Sequence, residues 1–250
     1  MALSSATQNG PGHRRNPVTK SSDVKASVDA ALKWLERHGT ARNREGMARY
    51  AIVADKAFGV SMATLQPFAR KLGRDHDLAL ALWETGWYEA RMLAAFVDDP
   101  ARVTPSQMDR WARDFDNWGI CDTVCFKLFD QTPHAWKKIN QWSTRQHEFV
   151  KRGAFALLAS VALHDKKAPD EPFIKSFRII ERESTDERNF VKKGVSWALR
   201  SVGHRNRVLN EEATRVATRL AESSDPVSRW IGKDALKDIT RPLIMKRFAR

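Results

Sequence analysis

Long apolar runs are missing from this chain of 250 residues. Nowhere do about 18 apolar residues follow one another, so no membrane-spanning helix is expected. Cysteine is scarce: Cys121 and Cys125 are the two in the chain, too few for a disulfide framework. They stand one helical turn apart in an apolar run and read as small buried hydrophobes. The seven histidines are scattered singly, so no metal or cofactor is expected. Strand signals are lacking too, with no alternating Val/Ile/Thr runs and no Asn-Gly turn between apolar runs. The opening stretch "MALSSATQNGPGHRRNPVTKSSD" lacks the apolar core of a signal peptide. Rich in Ser, Asn, Gly and Pro, residues 1–22 are expected to form a disordered basic tail, and the expected compartment is the cytoplasm.

Positive charge and helix signals are abundant. Lys and Arg number 43 against 30 Asp and Glu, a net charge of +13. That balance points to a polyanionic partner, nucleic acid before an anionic membrane. Helical apolar spacing begins at Ser22 or Asp23 and is punctuated by Gly, Pro and capping residues to the end of the chain. Thr104 followed by Pro105 opens one helix. "NREGMARYAIVADKAF" reads as a single helix closed by Gly59, and Pro67 is a candidate break in the helix after it. The fold class is therefore all-α, with residues 23–250 as one domain.

An internal echo organises these helices. "FVKRGAFALLAS" begins at Phe149, and "FVKKGVSWALRS" begins at Phe190, 41 residues later. "VSRWIGKDALKD", from Val227, is a fainter third copy. A helical repeat near 40 residues implies a HEAT-like solenoid, whose units stack because none can bury its apolar face alone. The echo also repeats charge. Lys151 with Arg152, and Lys192 with Lys193, recur at matching points, which on a solenoid would form a basic track along the concave side. Ordinary solvated faces carry Lys and Arg as well.

The stretch "DFDNWGICDTVCFKLF", from Asp114, raises a separate question. As a helix from Asn117 onward it has an apolar stripe, and Asp122 falls on that stripe one turn beyond Trp118. A carboxylate there needs a partner or a function. It could cap amides, pair with a buried Arg, or line a groove.

Five blocks occur in order: "MARYAIVADKAFGVS", "LALWETGWYEARMLAA", "NWGICDTVC", "EFVKRGAFAL" and "NFVKKGVSWALR". Together they resemble the blocks of the AlkD-like DNA alkylation repair enzymes, over roughly Met47 to Arg241. The resemblance implies a HEAT-like DNA glycosylase that removes cationic N3- and N7-alkylated purines from duplex DNA without a base-flipping pocket. It implies Asp122, Trp118 and Trp197 as the catalytic set, with the two indoles facing each other across the site. It implies Arg152 as a contact to the DNA backbone and places Tyr50 near the same DNA segment. After Tyr50 the chain reads "AIVADKAFGVS", where the family often has a basic, aromatic-rich segment. Trp83, Trp87, Trp111, Trp136 and Trp230 have no counterpart in the resemblance and are expected in the core or between repeats. Glu84 and Glu89 read as surface or structural residues.

Such chemistry suits these residue types. An alkylpurine cation is already a good leaving group, so positive charge growing on the deoxyribose is what remains to be stabilised. A fixed carboxylate does this electrostatically and can position water, as carboxylates do in glycoside hydrolysis. Indole faces add cation–π attraction. The expected partner is alkylated duplex DNA, bound by a monomer. A non-catalytic DNA-binding HEAT protein and a protein-interaction scaffold are the rival readings, the first marked by steep salt dependence without base release.

Overall fold

A computed structural model describes residues 17–248. The expected tail over residues 1–16, and the last two residues of the basic C-terminus, lie outside the described residues. The chain folds into α1 (Pro17–His38), α2 (Ala41–Met47), α3 (Met62–Leu72), α4 (His76–Glu84), α5 (Tyr88–Val97), α6 (Pro105–Arg113) and α7 (Trp118–Lys127). There follow α8 (Ala135–Trp142), α9 (Glu148–His164), α10 (Glu171–Arg182), α11 (Asn189–Gly203), α12 (Arg207–Ala221), α13 (Pro226–Ile239) and α14 (Pro242–Phe248). No strand occurs among the described residues.

Local chemistry sets half of these helix starts. The side chains of Thr40, Ser61, Asp75, Thr104, Asn117, Asn206 and Asp225 each accept the backbone N–H three residues on. Each satisfies an amide that the first turn leaves without a partner. Pro105 and Pro226 follow their caps at positions where no N–H is needed.

Two rows then form. Helices α5, α7, α9, α11 and α13 pack on one another in succession, and α4, α8, α10 and α12 back them. Helix α9 is the hub. It touches α7, α8 and α11, and every residue from Val150 to Ala162 is buried. That is why its sequence is apolar nearly all round. Phe155, Leu157 and Leu158 lie at its centre, each contributing about 1.5–3 kcal/mol by burial. Trp83 and Trp111 stack face to face at 4.0 Å and fill the space between the earlier pairs. Cys121 and Cys125 are buried against α9, as read from their spacing.

Three local expectations change. Helix α1 begins at Pro17, inside the segment expected to be disordered, because proline presets the first helical φ and lacks only an N–H that would be unpaired there. Helix α3 continues through Pro67, which stands on its exposed side. The "NREGMARYAIVADKAF" segment is not one helix. Helix α2 stops at Met47, a 3₁₀ turn follows over Ala48–Tyr50, Ala51 takes the left-handed region at φ 54°, and the chain then runs irregularly to Ser61.

A distant residue explains that change. Glu89, on α5 and fully buried, accepts the backbone N–H groups of Phe58 at 2.9 Å, Gly59 at 2.7 Å and Val60 at 3.1 Å. Gly59 sits at φ 82°, and a Cβ there would lie 2.3 Å from the Thr40 carbonyl oxygen. The loop thus takes its shape from one carboxylate and one glycine. Replacing Glu89 with Ala leaves three amides without their acceptor, and stability in urea denaturation should fall by at least about 2 kcal/mol. Glu89→Gln, which keeps an acceptor oxygen, should lose less.

Candidate nucleic-acid interface

Asn117 opens α7 by accepting the Ile120 N–H at 3.0 Å, which sets Trp118 in the first turn and Asp122 one turn on. Gly119 between them leaves room for the Tyr88 hydroxyl, which would have to shift for a Cβ there, 2.6 Å away. The helix therefore seats closely on α5. Burial raises the Tyr88 phenol well above its usual range, and the nearby Glu89 and Asp116 charges add to the rise.

The Asp122 carboxylate is gripped by Arg152 of α9. Nε donates to Oδ1 at 2.9 Å and Nη2 to Oδ2 at 2.7 Å. The third arm, Nη1, donates to the Phe190 carbonyl of α11 at 2.7 Å. Side-chain exposure is 19% for Asp122 and 9% for Arg152, so the pair lies just beneath the surface with its acidic end the more open. Burial raises the Asp122 carboxyl above the usual carboxylate range, with the Arg152 guanidinium pulling the other way. For Arg152, burial opposes the charge and Asp122 outweighs it. We take the pair as ionised, because both carboxylate oxygens accept from the guanidinium in a fork that suits opposite charges. The two residues carry separate expectations from the sequence, Asp122 as a catalytic carboxylate and Arg152 as a DNA-backbone contact. The structure joins them.

The other expected residues divide into two groups. Trp118 is half-buried, and its Nε1 donates to the Tyr50 carbonyl at 2.7 Å. Tyr50 reaches the site through its backbone, while its side chain is largely in solvent, the residue being 69% exposed. Trp197 is half-buried on α11, two turns beyond Phe190 and on the same helical face as Lys193. A linked series therefore crosses the inner row: Tyr50, Trp118, Asp122, Arg152, Phe190.

Lys151 does not join the expected basic track. Its ammonium is buried between Glu183 at 2.7 Å and Asp186 at 3.1 Å. Those acids come from the end of α10 and the connection to α11, so the charge serves to fasten one repeat to the next. Of the four expected basic residues, Lys192 is partly exposed and Lys193 exposed. Trp230, expected in the core or between repeats, is 39% exposed on α13. Sequence offered no signal for that, since large aromatics at helical spacing usually pack.

A cleft of about 570 Å³ opens beside α2, α3 and α5, lined by Arg42, Arg49, Tyr50, Met62 and Tyr88 among others. Asp122, Arg152 and Trp197 do not line it. Among the described residues, no three His, Cys, Asp or Glu side chains cluster as metal ligands, and no helix is long and apolar enough to cross a membrane.

The family model described as "DNA alkylation repair enzyme" matches residues 31–239. One solved structure is similar at TM-score 0.70 and 19% identity, covering 84% of this chain and 94% of its own. It is described as "A new family of proteins related to the HEAT-like repeat DNA glycosylases with affinity for branched DNA structures". A second, smu.31 from Streptococcus mutans UA159, matches at TM-score 0.50 and 18% identity, covering 86% of this chain and 97% of its own. Both likenesses concern the fold, which is that of HEAT-like helical repeats. No curated protein matches the chain.

The Lys151 cluster has a pH signature. Burial pushes the Asp186 carboxyl up, but hydrogen bonds from Arg188 and Lys151 outweigh it and hold it at about 2, against an ordinary 3.8. A lowered folded-state pKa means the stabilisation is present above 3.8 and is lost as pH falls toward about 2. Urea denaturation across that window should show the loss, and Asp186→Asn should flatten it.

Proposed function

The chain belongs to the DNA alkylation repair enzyme family, and on that premise we propose that it is a DNA glycosylase that hydrolyses the N-glycosidic bond of cationic N3- and N7-alkylpurines in duplex DNA. The single observation that carries this reading is the Asp122 carboxylate, held in a bidentate grip on the inner row one turn from Trp118. The protein acts as a monomer, in the cytoplasm, on chromosomal DNA.

The departing base is already cationic and needs no general acid. Positive charge passes to the deoxyribose as the bond stretches. A carboxylate about 4 Å away offers attraction of about 4 kcal/mol at an effective dielectric near 20, reduced while Arg152 shares it. A DNA phosphate competes for the same guanidinium. When it takes part of the Arg152 charge, the more exposed end of Asp122 turns its charge toward the sugar and orders the attacking water. Trp118, one turn from Asp122, offers a face suited to a cation, and the same role is assigned to Trp197, two turns beyond Phe190 on α11. Lys192 and Lys193 hold the backbone further along, and Tyr50 borders the DNA on the Trp118 side.

A second reading has a specific observation in its favour. The Asp122 charge is already met by Arg152 in the free protein, as in a structural ion pair, and one protein of this fold is described as having affinity for branched DNA. On that reading the chain binds DNA without excising a base.

Incubation with duplex DNA carrying N7-methylguanine or N3-methyladenine separates the two. The proposal expects free alkylated base and abasic sites. Asp122→Asn keeps an acceptor for Arg152, whereas Ala would strand a buried charge at about 3–5 kcal/mol. The Asn variant should therefore fold and bind DNA yet excise about 100-fold more slowly. Salt-sensitive DNA binding with no base release from either lesion supports the second reading, and wild-type rates in the variant remove Asp122 from the mechanism.

A further inference from the structure

Trp230 is an exposed indole on the second turn of α13, and it has a cation over its face. The Lys192 ammonium lies 5.0 Å from the ring centroid. Lys192 is the counterpart of Lys151 in the repeat echo, yet the two surroundings differ. Lys151 is neutralised by Glu183 and Asp186. Lys192 has no ion pair among the described residues. Asp225, the acid in the connection that leads into α13, is occupied in capping that helix through the Ser228 N–H at 2.7 Å. Asp234, further along α13, accepts the Ser196 hydroxyl and lies 3.5 Å from Arg200. Lys193, beside Lys192, is exposed and likewise has no ion pair among the described residues.

Flat aromatic surface in water together with uncompensated ammonium groups is the chemistry that receives a nucleobase and its phosphate. A base within a duplex has both faces covered by its neighbours. A base at a flap, a branch or a frayed end has a free face. We propose that Trp230, with Lys192 and Lys193, forms a stacking platform for an unpaired base next to duplex DNA. A phosphate of that strand draws the Lys192 ammonium off the ring, and the base takes its place. Three steps along the inner row separate α7 from α13. At about 8–10 Å between helices and 3.4 Å per base step, the platform stands about 7–9 base pairs from the nucleotide facing Asp122. One DNA molecule can therefore engage both.

The inference rests on the DNA-binding part of the reading above and is independent of excision. Its test is fluorescence-anisotropy titration of the full chain with two undamaged probes: a duplex closed by hairpins at both ends, and the same duplex carrying a single-stranded flap. The wild type should bind the flap duplex about tenfold more tightly. Trp230→Ala should bind both probes alike, at the wild-type affinity for the closed duplex, and Trp230→Phe should keep most of the preference. A flap preference that survives in Trp230→Ala overturns the proposal, as does a wild type that shows none. A wild type that binds neither probe overturns the DNA-binding reading as well, and so separates that failure from the loss of the platform alone.

Discussion

The ion pair between Asp122 and Arg152 is the constraint from which the rest of the site follows. It bridges α7 and α9, and the third arm of the same guanidinium reaches the backbone of α11. Three successive inner helices are thus fastened at one point, beneath the surface where a long polyanion would lie. Breaking a pair of this depth by removing one partner is strongly destabilising. On the proposed reading structure and function depend on the same two side chains, and a loss of activity at either position has to be separated from a loss of fold.

Neighbouring repeats put similar residues to different uses. Arg152 and Lys151 are adjacent and both buried, but one meets a single carboxylate near the surface and the other meets two between repeats. Lys192 and Lys193, one repeat on, remain available to solvent. Fixed, paired charge at Lys151 and Arg152 contrasts with Lys192 and Lys193 one repeat on, which have no ion pair among the described residues. On the proposed reading the first pair positions the chemistry and the second holds the DNA backbone.

Much of the fold could be read directly from residues. The caps at Thr104, Asn117 and Ser61 act within one turn of themselves, and the echo between Phe149 and Phe190 announces stacked units. The shape of residues 51–61 could not be read, because it is imposed by Glu89, about 30 residues away in sequence. Asp122 and Arg152 were each visible as residues of interest, but their pairing depends on how α7 meets α9. Lys151 and Lys192 occupy matching places in sequence, and only the acids supplied by the next connection distinguish them. The exposure of Trp230 depends in the same way on where α13 sits against α11.

Single-turnover release of N7-methylguanine from duplex DNA as a function of pH, over the range where the protein stays folded, tests the central claim most directly. If an ionised Asp122 stabilises the sugar cation, the rate falls as pH drops, with a midpoint above the ordinary 3.8 because burial raises this carboxyl. The residual rate of Asp122→Asn stays flat over the same range. A wild-type rate independent of pH down to the unfolding limit contradicts the account.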